Sequence, residues 1–191
     1  MRLTCLCLIL SLCVLRLPAQ EPTPKVAPPW GVGILVGTET ENRDNIYGSN
    51  YGAELTWQFL REHWIQGRVR ATYIHVNKGS GSTSPYVYPP AEGNFLGASC
   101  DWIFGFTKPH GPYLLLGTGV GNHDIRIDPS SGTAAHSESG AFFSGAWGLG
   151  YLLQGGIELE VRQDAMVVGI SIFGGRTDDA ICTSLVVRKR F

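Results

Sequence analysis

The segment "NHDIRIDPSSGTAAHSES" (122–139) holds the densest set of reactive side chains in the sequence: His123, Asp124, His136, Ser137 and Glu138. A serine beside a histidine and a carboxylate is the equipment of nucleophilic acyl transfer, provided that nucleophile and base meet at about 3 Å. Two histidines with carboxylates are also a metal-ligand set, provided that outer-shell partners orient the rings. Neither condition has support in the sequence. The segment is rich in Gly and Ser, which fix no geometry, and His123 and His136 stand too far apart for a helical or hairpin clamp. The composition favours a solvated polar loop. Of the other histidines, His63 and His110 fall in short turns and His75 near the end of a strand, where structural roles suffice. In "NKGSGSTSPYVYPP" (77–90), Tyr86 and Tyr88 among prolines suit either an adhesive loop for a partner or surface glycan, or an aromatic belt at the rim. No catalytic residue, metal or cofactor is expected.

A second set of charged residues is spaced by two rather than clustered. Glu158 and Glu160 form one such pair, Arg188 and Arg190 another, and Arg68 and Arg70 a third, with Glu54 earlier in the chain. A period of two places both members on one face of a β-strand. Their role depends on which way that face points, and so on the elements that carry them.

From Trp30 onward the chain alternates with a period of two and shows almost no helical period, which indicates strands. Eight segments qualify: "WGVGILVGT", "YGAELTWQFL", "GRVRATYIHV", "NFLGASCDWIFGF", "GPYLLLGTGVG", "AFFSGAWGLGYLL", "GIELEVRQ" with an extension toward Phe173, and "AICTSLVVRKRF". The seventh is read as one tall strand rather than two broken at "QDA" (163–165). Long polar connections alternate with short ones, so that all long ones fall at one end. An even-stranded bacterial membrane barrel has this layout, with short periplasmic turns and long outer loops.

The start of the chain agrees. Residues 1–19 read as a secretory signal peptide, with Arg2, an apolar run from Leu3 to Leu15 and small residues near Ala19. That run is shorter than the about 20 residues a membrane-spanning helix needs. Residues 20–29, with four prolines, read as an extended leader, and residues 30–191 as the barrel domain. Removing the signal leaves 13 basic and 16 acidic residues, a balance that argues against a nucleic-acid partner.

The two faces of each strand differ in kind. Trp30, Val32, Ile34 and Val36 oppose Gly31, Gly33 and Gly37. Ala53, Leu55, Trp57 and Phe59 oppose Glu54, Thr56 and Gln58. Phe143, Trp147, Leu149 and Tyr151 oppose Ser144, Ala146, Gly148 and Gly150. Bulky apolar side chains on one face and tiny or charged ones on the other fit a barrel with lipid outside and a narrow, filled bore. A soluble lipocalin-like barrel would need the reverse. By parity Glu158, Glu160, Arg188 and Arg190 all face inward at similar heights, so one interior ion cluster is expected there. A second is expected to join Glu54 to Arg68 or Arg70. Buried charges need partners, and such clusters close the bore. Cys100 falls on the lipid face with Ala98 and Trp102, and Cys182 on the interior face of a non-adjacent strand, so no bridge is expected between them.

In "GAELTWQFL", "YLLLGTGVG", "GAWGLGYLL" and the terminal aromatic, the chain resembles the small outer-membrane β-barrel family of the OmpA/OmpX type, over Trp30 to Phe191. The resemblance implies an all-β, eight-stranded antiparallel up-and-down barrel that sits as a monomer among outer-membrane lipid and lipopolysaccharide. It implies handling by the barrel-assembly machinery, with Phe191 as the recognition residue and Leu185 and Val187 on the same face. Lys189 stands where the family usually has a second aromatic, and its long stem lets the amine reach headgroups or water. Lipid A deacylases of this fold carry a His-x-Ser-Asn signature on a late strand, and "GIELEVRQD" has neither His nor Ser. The resulting expectation is a non-catalytic envelope protein whose outer loops meet a surface ligand, with a lipid A acyl hydrolase or acyltransferase, or a small-solute channel, as the alternatives.

Overall fold

The computed structural model describes residues 30–41, 47–61, 64–77, 91–105, 111–127, 136–153, 155–168 and 178–191. The proposed signal and leader, His63, His110, Tyr86, Tyr88 and the extension to Phe173 lie outside the described residues. Eight strands are present: β1 (Trp30–Glu41), β2 (Tyr47–Arg61), β3 (Ile65–Val76), β4 (Ala91–Gly105), β5 (Gly111–Ile127), β6 (His136–Leu152), β7 (Ile157–Val168) and β8 (Asp178–Arg190). Each pairs antiparallel with its neighbours in sequence, and β1 pairs with β8, so the sheet closes into a barrel. Closure leaves no strand edge in the wall, and this is why strands can cross lipid at all.

Register sets the shape. Following opposed residues from Trp30 through Trp57, Val69, Cys100, Thr118, Gly145, Ala165 and Ile181 returns to β1 at Thr40, ten residues further up. A stagger of this size in eight strands requires a strand tilt of about 40° and leaves a bore wide enough only for side chains. The single irregularity between β2 and β3 falls between Gln58 and Leu60. It lays the Phe59 ring over Gly67, where a Cβ would come within 2.4 Å of the ring. At the β6–β7 turn, Gly155 and Gly156 take φ of 78° and 76°, which side-chain-bearing residues rarely adopt.

The alternation is inverted relative to a soluble protein. Ile34, Leu149 and Trp147 point outward at 63%, 61% and 53% exposure, while Glu54, Arg68, Arg162 and Arg188 are buried. So continuous an apolar exterior is not stable in water and fits the hydrocarbon of a bilayer. Trp30, Trp57, Phe59 and Trp102 form an outward aromatic group at the end where the chain termini of the barrel meet, with Phe59 and Trp102 edge to face at 6.0 Å. Phe191 belongs to the same end, and its N–H donates to Trp30 O at 2.9 Å. Leu185, Val187 and Phe191 are all exposed on the outer face.

As expected, β7 runs unbroken through Gln163, Asp164 and Ala165, all paired to β8. Two other expectations change. The segment expected as a polar loop is largely strand: β5 continues to Ile127 and β6 begins at His136, with His123 opposite Gly140 and Asp124 opposite Ser139. The outward residues of this hairpin, Asn122, Asp124, Ser137 and Ser139, are polar, so the period-two apolar signal fades there although the ladder does not. Finally, the bore is not filled by ionic and tiny groups alone. Its outer half is an apolar plug of Leu35, Ile74, Val76, Phe95, Phe142 and Met166.

Candidate functional site

The centre of the barrel is a buried ionic network. Glu54 comes from β2, Arg68 and Arg70 from β3, and Asp101 from β4. Glu158, Glu160, Arg162 and Asp164 line β7, and Arg188 and Arg190 line β8. Five carboxylates face five guanidiniums, so the formal charge of the set balances. Arg162 Nη1 lies 2.9 Å from both Glu54 and Glu160, and its Nε 2.7 Å from Asp164. Arg68 reaches Asp101 at 2.9 Å, Glu160 at 3.3 Å and Glu158 at 3.4 Å. Arg70 holds Asp101 at 3.1 Å and Asp164 at 3.2 Å. Arg188 donates from Nε to Glu54 at 2.7 Å and also pairs with Glu158. Arg190 closes the lower end on Glu158 and donates to Gln58 at 3.1 Å. Tyr113 donates its hydroxyl to Glu160 at 2.8 Å, and Gly150 leaves room for its ring.

The residues expected in two clusters therefore lie in one. Glu54 is held by Arg162 and Arg188, whereas Arg70 is 4.0 Å away and Arg68 bonds elsewhere. Three members were not expected at all: Asp101, Arg162 and Asp164. Their signal was present, since Arg162 and Asp164 continue the parity of Glu158 and Glu160, and Asp101 sits between Cys100 and Trp102. Above the network a small cavity bordered by Arg70, Thr72, Ser99, Ser144 and Asp164 has room for water. With the plug above and Ile103, Tyr113, Leu115 and Ala146 packed beside the network, side chains fill the bore at both levels.

The reactive set of 122–139 is not brought together. His123 points into the bore, buried beside Phe95 at a ring separation of 6.2 Å, and neither ring nitrogen has a hydrogen-bond partner among the described residues. Asp124, Ser137 and Glu138 are exposed. His136 lies opposite Ile127 at the top of the hairpin. No group of three or more His, Cys, Asp or Glu suited to a metal occurs among the described residues. Cys100, half-buried, and Cys182, buried, are free thiols. His75 lies on the outer wall with Nδ1 2.8 Å from Asn94 Oδ1.

Eight antiparallel strands in sequential order, an apolar exterior and an ionic bore are together decisive for architecture. The chain has the fold of the small eight-stranded outer-membrane β-barrels. Solved structures agree. The barrel is similar to Neisserial surface protein A, with a TM-score of 0.60 and 14% identity over 85% of this chain and 96% of that one. It is similar to Ail, the attachment invasion locus protein of Yersinia pestis (0.50, 12%, 84% and 94%). It is also similar to the outer membrane enzyme PagL (0.51, 14%, 84% and 99%). No protein-family model and no curated protein sequence matches the chain.

Proposed function

We propose that the chain is an integral outer-membrane barrel with a closed bore, whose role is envelope structure and surface contact through the connections at its long-loop end, without catalysis. One observation carries this reading: the bore is packed by a charge-balanced network under an apolar plug. A solute channel needs the opposite, a continuous aqueous path. Against catalysis, the buried His123 touches no nucleophile among the described residues, and the outward His75 is engaged by Asn94. Connections of five, 14, eight and nine residues follow β1, β3, β5 and β7, whereas those at the other end have three, five and four. The likeness to Ail, an attachment invasion locus protein, is compatible with contact through that end.

Three measurements test the reading. Reconstituted protein in planar bilayers should give no unitary conductance steps, and reproducible steps would contradict a closed bore. Deleting residues 128–135 should abolish binding of the displayed protein to surfaces that the intact chain adheres to, with heat-modifiable gel migration preserved. Adhesion that survives this deletion and that of 78–90 rules out loop-borne contact. A change in lipid A acylation on incubation with pure protein, read by mass spectrometry, would instead make the chain an enzyme.

A further inference from the structure

The outer wall of β2–β4 carries an arrangement that the loop-borne function does not use. Near the upper end of β3, Tyr73 donates its hydroxyl to Asn94 Oδ1 at 2.7 Å, and His75 Nδ1 lies 2.8 Å from the same oxygen. The Asn94 side chain thus ties Tyr73 and His75 together. His75 Nε2 and the Asn94 Nδ2 donors make no hydrogen bond among the described residues. Tyr51, opposite His75 on β2, packs against the imidazole with ring centroids 5.0 Å apart. The polar groups are thus held in place by one another and present both a donor and an acceptor beside exposed aromatic rings. Asp124, opposite Asn94, and Arg126, opposite Glu92, mark the charged level just above.

Immediately below, the same three strands turn their smallest outward residues to lipid. Ala53 is opposite Tyr73, and Ala71 is opposite Ala98. All three alanines are exposed, between the exposed Leu55 and Leu96. The wall is therefore recessed directly beneath the polar cluster. Paired donors and acceptors next to a ring face match a sugar, whose hydroxyls do both and whose C–H face packs on aromatics. A recess in an apolar wall matches an acyl chain. Stacked along the same strands, the two match an amphiphile that has both.

We propose that the outward face of β2–β4 binds one glycolipid molecule, its sugar headgroup on Tyr51, Tyr73, His75 and Asn94 and one acyl chain over Ala53, Ala71 and Ala98. The site is independent of the outer loops and of the bore. The test is native mass spectrometry of the full chain released from detergent micelles after titration with lipid A, a glucosamine-disaccharide glycolipid, or with phosphatidylglycerol. Wild type should retain lipid A more tightly than phosphatidylglycerol. His75→Ala/Asn94→Ala, which removes two hydrogen-bonding groups, and Ala71→Leu, which fills the recess, should each weaken lipid A binding by about tenfold with wild-type heat-modifiable migration. Unchanged lipid A affinity in both variants, or equal retention of phosphatidylglycerol, overturns the proposal. Free glucosamine disaccharide binding as tightly as lipid A also overturns it, because the acyl recess would then contribute nothing.

Discussion

Replacing Arg162 with methionine should destabilise the folded barrel by about 3–5 kcal/mol, the cost of leaving buried charge without its counter-charge. Arg162 is fully buried and contacts three carboxylates, Glu54, Glu160 and Asp164, each within 3 Å. Without it, five carboxylates share four guanidiniums in a space that admits little water. Charge imbalance, not lost packing, should dominate, because methionine retains most of the side-chain volume. The double variant Arg162→Met/Asp164→Asn restores the balance and should recover part of the loss. Lys189→Met serves as the control, since Lys189 is exposed and bonds only to the Gly155 carbonyl among the described residues; an exposed site of this kind should change stability by less than about 1 kcal/mol. The comparison is a urea titration of each variant in lipid vesicles, scored by heat-modifiable migration. Equal midpoints for Arg162→Met and Lys189→Met would show that the network does not hold the barrel together.

An arginine at position 34 should cost about 2–4 kcal/mol in the same titration, the penalty for a cation at the middle of the lipid face of a barrel. Ile34 is 63% exposed and sits between Ala53 and Val187, well away from either end of its strand. On a water-soluble protein, so exposed an isoleucine could become arginine with a change of about 0.5 kcal/mol or less. The sign of the difference therefore reports the solvent outside the wall. Depth matters too: Thr38→Arg, nearer the outer end of β1, should cost only about 0–1 kcal/mol. The chain already tolerates Lys189 on the outer face at the opposite end, where the Gly155 carbonyl receives its amine.

Strand number, direction and facing were legible because they depend on a local period. Glu158 and Glu160 alternate with Ile157, Leu159 and Val161, and a two-residue period fixes the side on which each points. What parity does not give is reach across the bore. Arg162 on β7 meets Glu54 on β2, strands that are not neighbours, so pairing by adjacent strands predicted two clusters where one forms. The apolar plug was hidden for a related reason. Leu35 lies on the glycine face of β1, and Met166 continues the charged face of β7, so each reads as an exception to its own strand. Only the closed barrel shows that Leu35, Phe95, Phe142 and Met166 come together at one level. The hairpin carrying His123 and Ser137 reads as a loop because its outward residues, Asn122, Asp124, Ser137 and Ser139, are polar and show no apolar alternation.

The central claim is that the apolar faces look out into lipid and the small and ionic ones into a filled bore. Single nitroxide labels along β6 test it directly, placed at Ser144 through Leu149 in a chain with all five cysteines replaced and reconstituted in bilayers. The predicted result is a period of two. Labels at Gly145, Trp147 and Leu149 are mobile and relaxed by oxygen dissolved in the bilayer, whereas those at Ser144, Ala146 and Gly148 are immobilised and reached by neither oxygen nor aqueous nickel chelate. Nickel chelate relaxing the labels at 145, 147 and 149, or the opposite phase of immobilisation, would contradict the account.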